Sequence, residues 1–182
     1  MASMGKGFLQ RMRQVPPLDL ALLLILGGVL IPGPFIAFTD LVPLPLQLDF
    51  TAYYLAAQAM LRGQSPYDFA VLRALAAEYG DFQVVAYLYP PTFAVILRPL
   101  ALLSLPVANG VWFALNVLWL VIACIVIIRL VPLPRRVMGL IPVIAVLMPA
   151  VHHTLELGQI NTLLLVLLAG ALWAFGRPVR TG

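Results

Sequence analysis

The stretch that decides the fold is 111-VWFALNVLWLVIACIVII-128, a run without a charged side chain. A helix rises about 1.5 Å per residue, so this run is long enough to cross most of the roughly 30 Å hydrocarbon core of a bilayer. The rest of the chain has the same character, because 63% of the 182 residues are hydrophobic and only 10% are charged. This composition predicts an all-α membrane protein that crosses the bilayer several times. It excludes a disordered chain and a nucleic-acid-binding protein.

Three further apolar runs flank this one. The run at 18–38 follows a basic N-terminus at 1–17 and has Asp19 as its only charged side chain. No small-residue cleavage site follows it, so we interpret it as a retained span rather than a signal peptide. The remaining runs lie at 137–151, where two prolines interrupt it, and at 161–175.

A shorter apolar segment at 92–103 could be a fifth span or an interfacial, re-entrant piece. The positive-inside rule favours the second interpretation, because Lys and Arg side chains collect on the cytoplasmic side. With four spans and a cytoplasmic N-terminus, eight of the eleven basic residues are cytoplasmic: Lys6, Arg11, Arg13, Arg129, Arg135, Arg136, Arg177 and Arg180. A fifth span would leave only three there. Four spans are therefore predicted, with Trp112 and Trp173 in the interfacial aromatic belts.

This topology places the loops at 39–110 and 152–160 outside, and those at 129–136 and 176–182 in the cytoplasm. Most of the acidic side chains lie in the outer segments, so we expect the functional site on that face.

The long outer segment is predicted to contain two juxtamembrane helices, at 50–62 and 69–79. Asp49 and Asp68 stand at the starts of these helices, where an acidic side chain can cap the free N–H groups, and a glycine follows each helix. Polar side chains three or four residues apart form a stripe along the first helix: Thr51, Tyr54, Gln58 and Arg62. Such a stripe on an apolar helix is typical of a helix that lies along a membrane surface.

Four short motifs occur in order: 49-DFTAYYLAA-57, 63-GQSPYD-68, 89-YPP-91 with 98-RPL-100, and 158-GQIN-161. With the hydropathy profile, this order over 18–175 resembles the N-terminal portion of glycosyltransferase family 87, the polyprenyl-phosphate-mannose-dependent mannosyltransferases of the GT-C superfamily.

The resemblance implies a GT-C-like N-terminal module that transfers a hexose, mannose in the family, from a polyprenyl-phosphate donor to a lipid or glycan acceptor. The reaction would take place on the outer face of a bacterial plasma membrane, and membrane lipids are the other expected partners. Family members have more spans than this chain, so a second chain that supplies the C-terminal spans is also an expected partner. We expect no cofactor, and the composition already excludes a nucleic-acid partner.

The resemblance assigns Asp49 as the catalytic aspartate. Transfer from a lipid phosphate has a good leaving group, so one carboxylate that accepts the proton of the acceptor hydroxyl is sufficient. The spacing alone favours a simple N-cap role for Asp49, and Asp40 is the second candidate acid. Asp68 is predicted to be only a helix cap.

Candidates for binding the phosphate or sugar share a cationic or hydrogen-bonding side chain on the outer face: Arg62, Arg73, Tyr89, Arg98, His152, His153, Gln159 and Asn161. Arg98 could instead extend its charge to the interface. His152 and Glu156 lie four residues apart, but the sequence has no third ligand at a suitable spacing, so we predict no metal site. Gln159 and Asn161 either bind sugar hydroxyls or satisfy the start of the last helix.

A non-catalytic membrane protein remains the alternative: a truncated family member, an assembly partner or a transporter-like subunit. The three later spans have no acidic or basic side chain at mid-depth. Transporters place ionisable groups there, so the sequence disfavours ion-coupled transport.

Overall fold

The structure is a computed structural model that describes residues 45–131, 134 and 138–175. All regular structure in these residues is helical, and no β-strand occurs among them. The predicted first span at 18–38, Asp40 and the basic residues at both termini and at 135–136 lie outside the described residues. The helices are α1 (Leu48–Leu61), α2 (Phe69–Ala77), α3 (Pro91–Ile96), α4 (Arg98–Ala101), α5 (Leu105–Leu130), α6 (Leu140–Leu147), α7 (Pro149–Leu157) and α8 (Asn161–Phe175).

Helix α5 contains the run that decides the fold, and it begins at Leu105 rather than at 111. Ser104 has an extended backbone and a proline occupies the first turn, a position that proline favours because its missing N–H would have no partner there. Within the described residues, α5 is the one helix both long and apolar enough to cross a membrane, with a mean hydropathy of 2.8 over its most apolar window.

Helices α5 and α8 run side by side in the same direction. The indole N–H of Trp112 donates to the carbonyl oxygen of Gly158, and one turn further along, the Thr162 hydroxyl donates to Asn116. Both contacts join residues 46 positions apart, which requires parallel helices.

The chain between them must therefore return from the far end of α5, and it does so through α6 and α7. These two helices replace the single predicted span at 137–151. The break falls at Met148, whose backbone is extended with ψ 123°, because a residue that precedes proline avoids the helical conformation. Buried Leu120 and Cys124 of α5 pack against Ile141 and Ala145 of α6.

Helix α1 is surrounded by other helices of the described part of the chain. Phe50, Leu55 and Ala57 are fully buried, and α2, α3, α4, α5 and α7 all pack around the helix. Complete burial of a large apolar side chain stabilises the fold by about 1.5–3 kcal/mol. α1 is therefore a core helix, although it begins and ends close to the predicted bounds.

Two members of the predicted polar stripe, Tyr54 and Gln58, contact other segments of the protein. Tyr54 is 1% exposed, and its hydroxyl donates to the carbonyl oxygen of Leu103 at 2.8 Å. Gln58 donates to the carbonyl oxygen of Ala101 at 2.6 Å. Tyr54 and Gln58 thus satisfy carbonyl groups at and just after the end of α4, which a short helix leaves free.

The apolar segment at 92–103 is not one helix. It divides into α3 and α4 at Leu97, just before the Arg98-Pro99 pair. Ala94, Leu97 and Ala101 are buried on the inner side. The two helices pack on α1 through that side.

The predicted cap of α2 is confirmed, because the Asp68 carboxylate accepts hydrogen bonds from the backbone N–H groups of Ala70 and Val71. We expect Asp68→Ala to lower the free energy of unfolding by about 1 kcal/mol, whereas Asp68→Asn, which keeps an accepting oxygen, leaves it nearly unchanged. Chemical denaturation of the purified protein in detergent measures both. Equal losses in the two variants would contradict a capping role.

Candidate active site

The two ends of α1 carry different residues of the predicted site. Asp49 lies in the first turn, and Arg62 is the residue at the C-terminal end. At about 1.5 Å per residue, the helix separates the two positions by about 20 Å. The structure therefore does not bring Arg62 and Asp49 to one reacting centre.

At the C-terminal end of α1, Arg62 is paired with Glu78. Its guanidinium donates to both carboxylate oxygens, at 2.5 and 2.7 Å, and both side chains are substantially exposed. This shared hydrogen bonding lowers the pKa of Glu78 and raises that of Arg62. The guanidinium of Arg62 is thus already bound by a carboxylate.

Arg98 lies at the same end of α1. One terminal nitrogen donates to the carbonyl oxygen of Met60 at 3.4 Å, in the last turn, where a positive charge is favoured by the helix dipole. Its Nε is buried and has no hydrogen-bond partner among the described residues. The guanidinium of Arg98 is therefore directed towards α1. The alternative from the sequence was that it only extends to the membrane interface.

At the N-terminal end, Gln47 rather than Asp49 is the capping residue, so the N-cap interpretation of Asp49 is wrong. Asp49 is half-buried, and within the described residues no hydrogen bond or ion pair to its carboxylate is found. Its negative charge acts on Tyr53, one turn along the helix. The oxygens of the Asp49 carboxylate are therefore not occupied by a side-chain or backbone partner among the described residues.

The segment 158–160 lies directly against this first turn. Gly158 has a left-handed φ of +72°, and a Cβ atom there would lie 2.8 Å from the Cβ of Gln47 and 2.9 Å from that of Phe50. The side-chain amide of Gln47 donates to the carbonyl oxygen of Leu155, at the end of α7. The predicted motif at 158–161 and the predicted catalytic helix start are therefore adjacent in space.

Tyr89 joins the same region through Tyr53. The two rings are edge to face at 4.9 Å, and the Tyr53 hydroxyl donates to that of Tyr89 at 3.0 Å. Ile160 belongs to the same buried cluster as Tyr53. Burial is the main cause that raises the pKa of Tyr53, and the Tyr89 bond and the Asp49 charge raise it further, so Tyr53 stays protonated.

Gln159 and Asn161 lie at the start of α8. The Asn161 amide donates to Gln159 at 2.7 Å and to the Thr154 hydroxyl at 3.4 Å. The first N–H groups of a helix lack partners within the helix and favour anions. The pair can therefore help satisfy the helix start and still present polar atoms near the first turn of α1.

The two histidines are exposed on α7, which reaches α1 at Gln47. His153 Nδ1 lies 4.0 Å from a carboxylate oxygen of Glu156, so Glu156 faces His153. In the part of the chain that the structure describes, no three His, Cys, Asp or Glu side chains are grouped to hold a metal ion.

Comparison with known proteins gives one match. A model of glycosyltransferase family 87 matches residues 87–182, more than half of the chain. The chain belongs to glycosyltransferase family 87. No curated protein and no solved structure matches it.

Family 87 membership makes the protein a membrane glycosyltransferase. The matched residues include the candidates on both sides of α5: Tyr89, Arg98, His152, His153, Gln159 and Asn161. Asp49 and Arg62 precede the matched range. The contact between Gly158 and the first turn of α1 joins the matched region to the helix that carries Asp49.

Sequence reasoning missed the buried polar and aromatic residues that pack around the first turn of α1. Asn109 is 1% exposed, accepts from the backbone N–H of Gln47 at 3.1 Å and donates to the carbonyl oxygen of Pro45 at 3.2 Å. Trp112, predicted at a lipid interface, is 1% exposed and stacks on Phe50 at 5.4 Å, so that prediction is wrong. The sequence did contain a signal for this packing: asparagines within an apolar run, because a buried polar side chain requires a hydrogen-bond partner.

We expect Gly158→Ala to destabilise the protein and to separate α1 from the start of α8. The added Cβ meets two Cβ atoms, which cannot move as a flexible chain end can, and the left-handed backbone disfavours alanine. Gly170→Ala is the matched control, since a Cβ there meets no atom within 4 Å and alanine favours a helix by up to about 1 kcal/mol. Thermal unfolding in detergent compares them. A Gly158→Ala protein as stable as Gly170→Ala would contradict the close approach.

Proposed function

We propose that this family 87 glycosyltransferase transfers a hexose, with mannose as the family's expectation, from a polyprenyl-phosphate donor to a lipid or glycan acceptor on the outer face of the membrane. The observation that carries the proposal is the half-buried Asp49, which has no hydrogen-bond or ion-pair partner among the described residues and lies in the first turn of α1, against the start of α8.

Asp49 acts as the general base. Its carboxylate accepts the proton of an acceptor hydroxyl, whose oxygen forms a bond to the anomeric carbon of the sugar. The bond between that carbon and the phosphate oxygen breaks, and polyprenyl phosphate leaves with the electron pair. The leaving group needs no strong acid, so a single carboxylate suffices, and general base catalysis typically contributes about 10²- to 10⁴-fold.

The groups best placed to bind the donor phosphate lie at the same end of α1 as Asp49. The N-terminal N–H groups of α8, Gln159 and Asn161 lie at that end of α1, with Tyr89 on the other side of Tyr53 and the two histidines on α7. Helix N-termini bind phosphate because their N–H groups are free and the dipole is favourable. Arg62 and Arg98, at the far end of α1, would contact a more distant part of a substrate.

We also propose four spans with a cytoplasmic N-terminus, which puts this site outside the cell. Parallel α5 and α8, with the broken pair α6 and α7 returning between them, support three crossings after the predicted span at 18–38. An excess of Lys and Arg on the cytoplasmic side agrees with this direction.

The experiment uses membranes that contain this chain, a radiolabelled polyprenyl-phosphate mannose and a panel of lipid and glycan acceptors. We expect Asp49→Asn, which keeps the shape but cannot accept the proton, to lower transfer by about 10²-fold or more. Asp68→Asn is the matched control, because it removes a carboxylate of the same outer segment yet keeps the helix cap.

Transfer at the wild-type rate by Asp49→Asn, at equal protein levels in the membrane, would rule out Asp49 as the base. A parallel assay with polyprenyl-phosphate glucose tests the identity of the sugar. Preferential transfer of glucose would contradict mannose as the sugar but would leave the role of Asp49 standing.

A further inference from the structure

Tyr67, in the motif at 63–68, is an exposed aromatic side chain that is nevertheless held in place. Its exposed fraction is 52%. Its hydroxyl donates to the backbone carbonyl oxygen of Tyr89 at 2.9 Å, and its ring centre lies 5.7 Å from that of Tyr87, which is 3% exposed. Aromatic pairs at such distances favour defined relative orientations. The ring of Tyr67 therefore keeps one orientation although water reaches it.

The ring of Tyr67 is the outer end of a series of tyrosine rings. The centre of the Tyr87 ring lies 6.0 Å from that of Tyr89, which in turn lies 4.9 Å from that of Tyr53 on α1. Tyr53 follows Asp49 by one helical turn, and the negative charge of Asp49 acts on it. The series therefore brings together three motifs that are separate in sequence, at 49–57, 63–68 and 89–91.

Tyr89 supplies a polar group next to Tyr67. Tyr53 is 1% exposed, and its hydroxyl donates to that of Tyr89 at 3.0 Å. Among the described residues Tyr89 is the one acceptor for this buried proton, and a buried donor without an acceptor is unfavourable. The proton of the Tyr89 hydroxyl is therefore directed away from Tyr53. Because Tyr89 is only partly buried, its proton is available to an oxygen atom of a ligand.

We propose that Tyr67 binds a sugar ring of the acceptor, which stacks on the exposed face of Tyr67 while one of its hydroxyl oxygens accepts from Tyr89. The C–H groups of a pyranose are slightly positive, and the face of an aromatic ring is negative. A ring that is already fixed also loses little freedom on binding. The inference rests on the proposed function, in which an acceptor hydroxyl approaches Asp49. The contacts of Tyr67 go to the segment before α3 and not to the start of α8, where the donor phosphate is proposed to bind, so its ligand is the acceptor.

Two substitutions separate the ring of Tyr67 from its hydroxyl. Tyr67→Leu and Tyr67→Phe both remove the hydrogen bond to Tyr89, but only Tyr67→Leu removes the aromatic face. A residue that merely ties the turn to the segment before α3 would respond equally to both. Leu88→Ala is the matched control, because Leu88 is 85% exposed in that same segment and offers apolar surface without an aromatic face.

The first measurement is transfer from radiolabelled polyprenyl-phosphate mannose by the full chain in membranes, with octyl mannopyranoside, glucopyranoside and galactopyranoside as acceptors. We expect Tyr67→Leu to raise the acceptor KM about tenfold while the donor KM changes little, because tyrosine contacts often dominate binding. Tyr67→Phe should keep the acceptor KM within about threefold of wild type, since it retains the face. Leu88→Ala should stay within about twofold. Equal increases in the two Tyr67 variants, or no increase in Tyr67→Leu, would overturn the proposal.

The second measurement does not depend on activity. Saturation-transfer NMR on the purified full chain in deuterated detergent detects contact with the ring protons of the methyl mannopyranoside, glucopyranoside and galactopyranoside. We expect a signal for at least one of them, reduced about fivefold or more in Tyr67→Leu and retained in Tyr67→Phe and Leu88→Ala. No signal with the wild-type chain, or an undiminished signal in Tyr67→Leu, would contradict the proposal. If the wild-type chain transfers no hexose, the proposed function fails, and this comparison still decides whether Tyr67 binds a sugar ring.

Discussion

The close approach of Gly158 to the first turn of α1 is the constraint on which the rest of the structure depends. Only a residue without a Cβ fits there, because that atom would lie 2.8 Å from the Cβ of Gln47. Trp112 fixes the carbonyl group of the same glycine at 2.7 Å, and Asn109 fixes the backbone of Gln47 at 3.1 Å. α1, α5 and the start of α8 are therefore held together by buried, directional contacts, which keep polar groups satisfied in an apolar protein.

This arrangement brings polar groups together in a chain with few charges. The parallel pair α5 and α8 places the start of α8 beside the first turns of α5, and α6 and α7 supply the return path. α1 packs against α5 and α7, and its N-terminus lies at the 158–161 motif. The separation between Asp49 and Arg62 follows from the length of α1 alone, and it divides the predicted site residues into two groups.

The sequence predicted those features that depend on local signals. Asp68 caps α2 as expected, since an acidic side chain before an apolar run acts within two or three residues. The apolar runs indicated α5 and α8, whereas the proline at 149 divided the run between them. The burial of α1 could not be predicted, because its Tyr54 and Gln58 side chains are satisfied by carbonyl groups at and after the end of α4, which are distant in sequence. The interfacial position predicted for Trp112 was wrong for the same reason, because the hydrogen bond from its indole N–H to Gly158 joins residues that are close only in the folded chain.

The central claim is that Asp49 and the 158–161 motif form one site from which Arg62 is excluded. Cysteine pairs in the Cys124→Ala background test it directly: Asp49→Cys with Gln159→Cys, and Arg62→Cys with Gln159→Cys, each treated in membranes with a short bismaleimide and analysed by mass spectrometry of the linked peptides. The account predicts an intramolecular link between positions 49 and 159 and none between 62 and 159. A link formed by the second pair, or the absence of a link in the first, would contradict it.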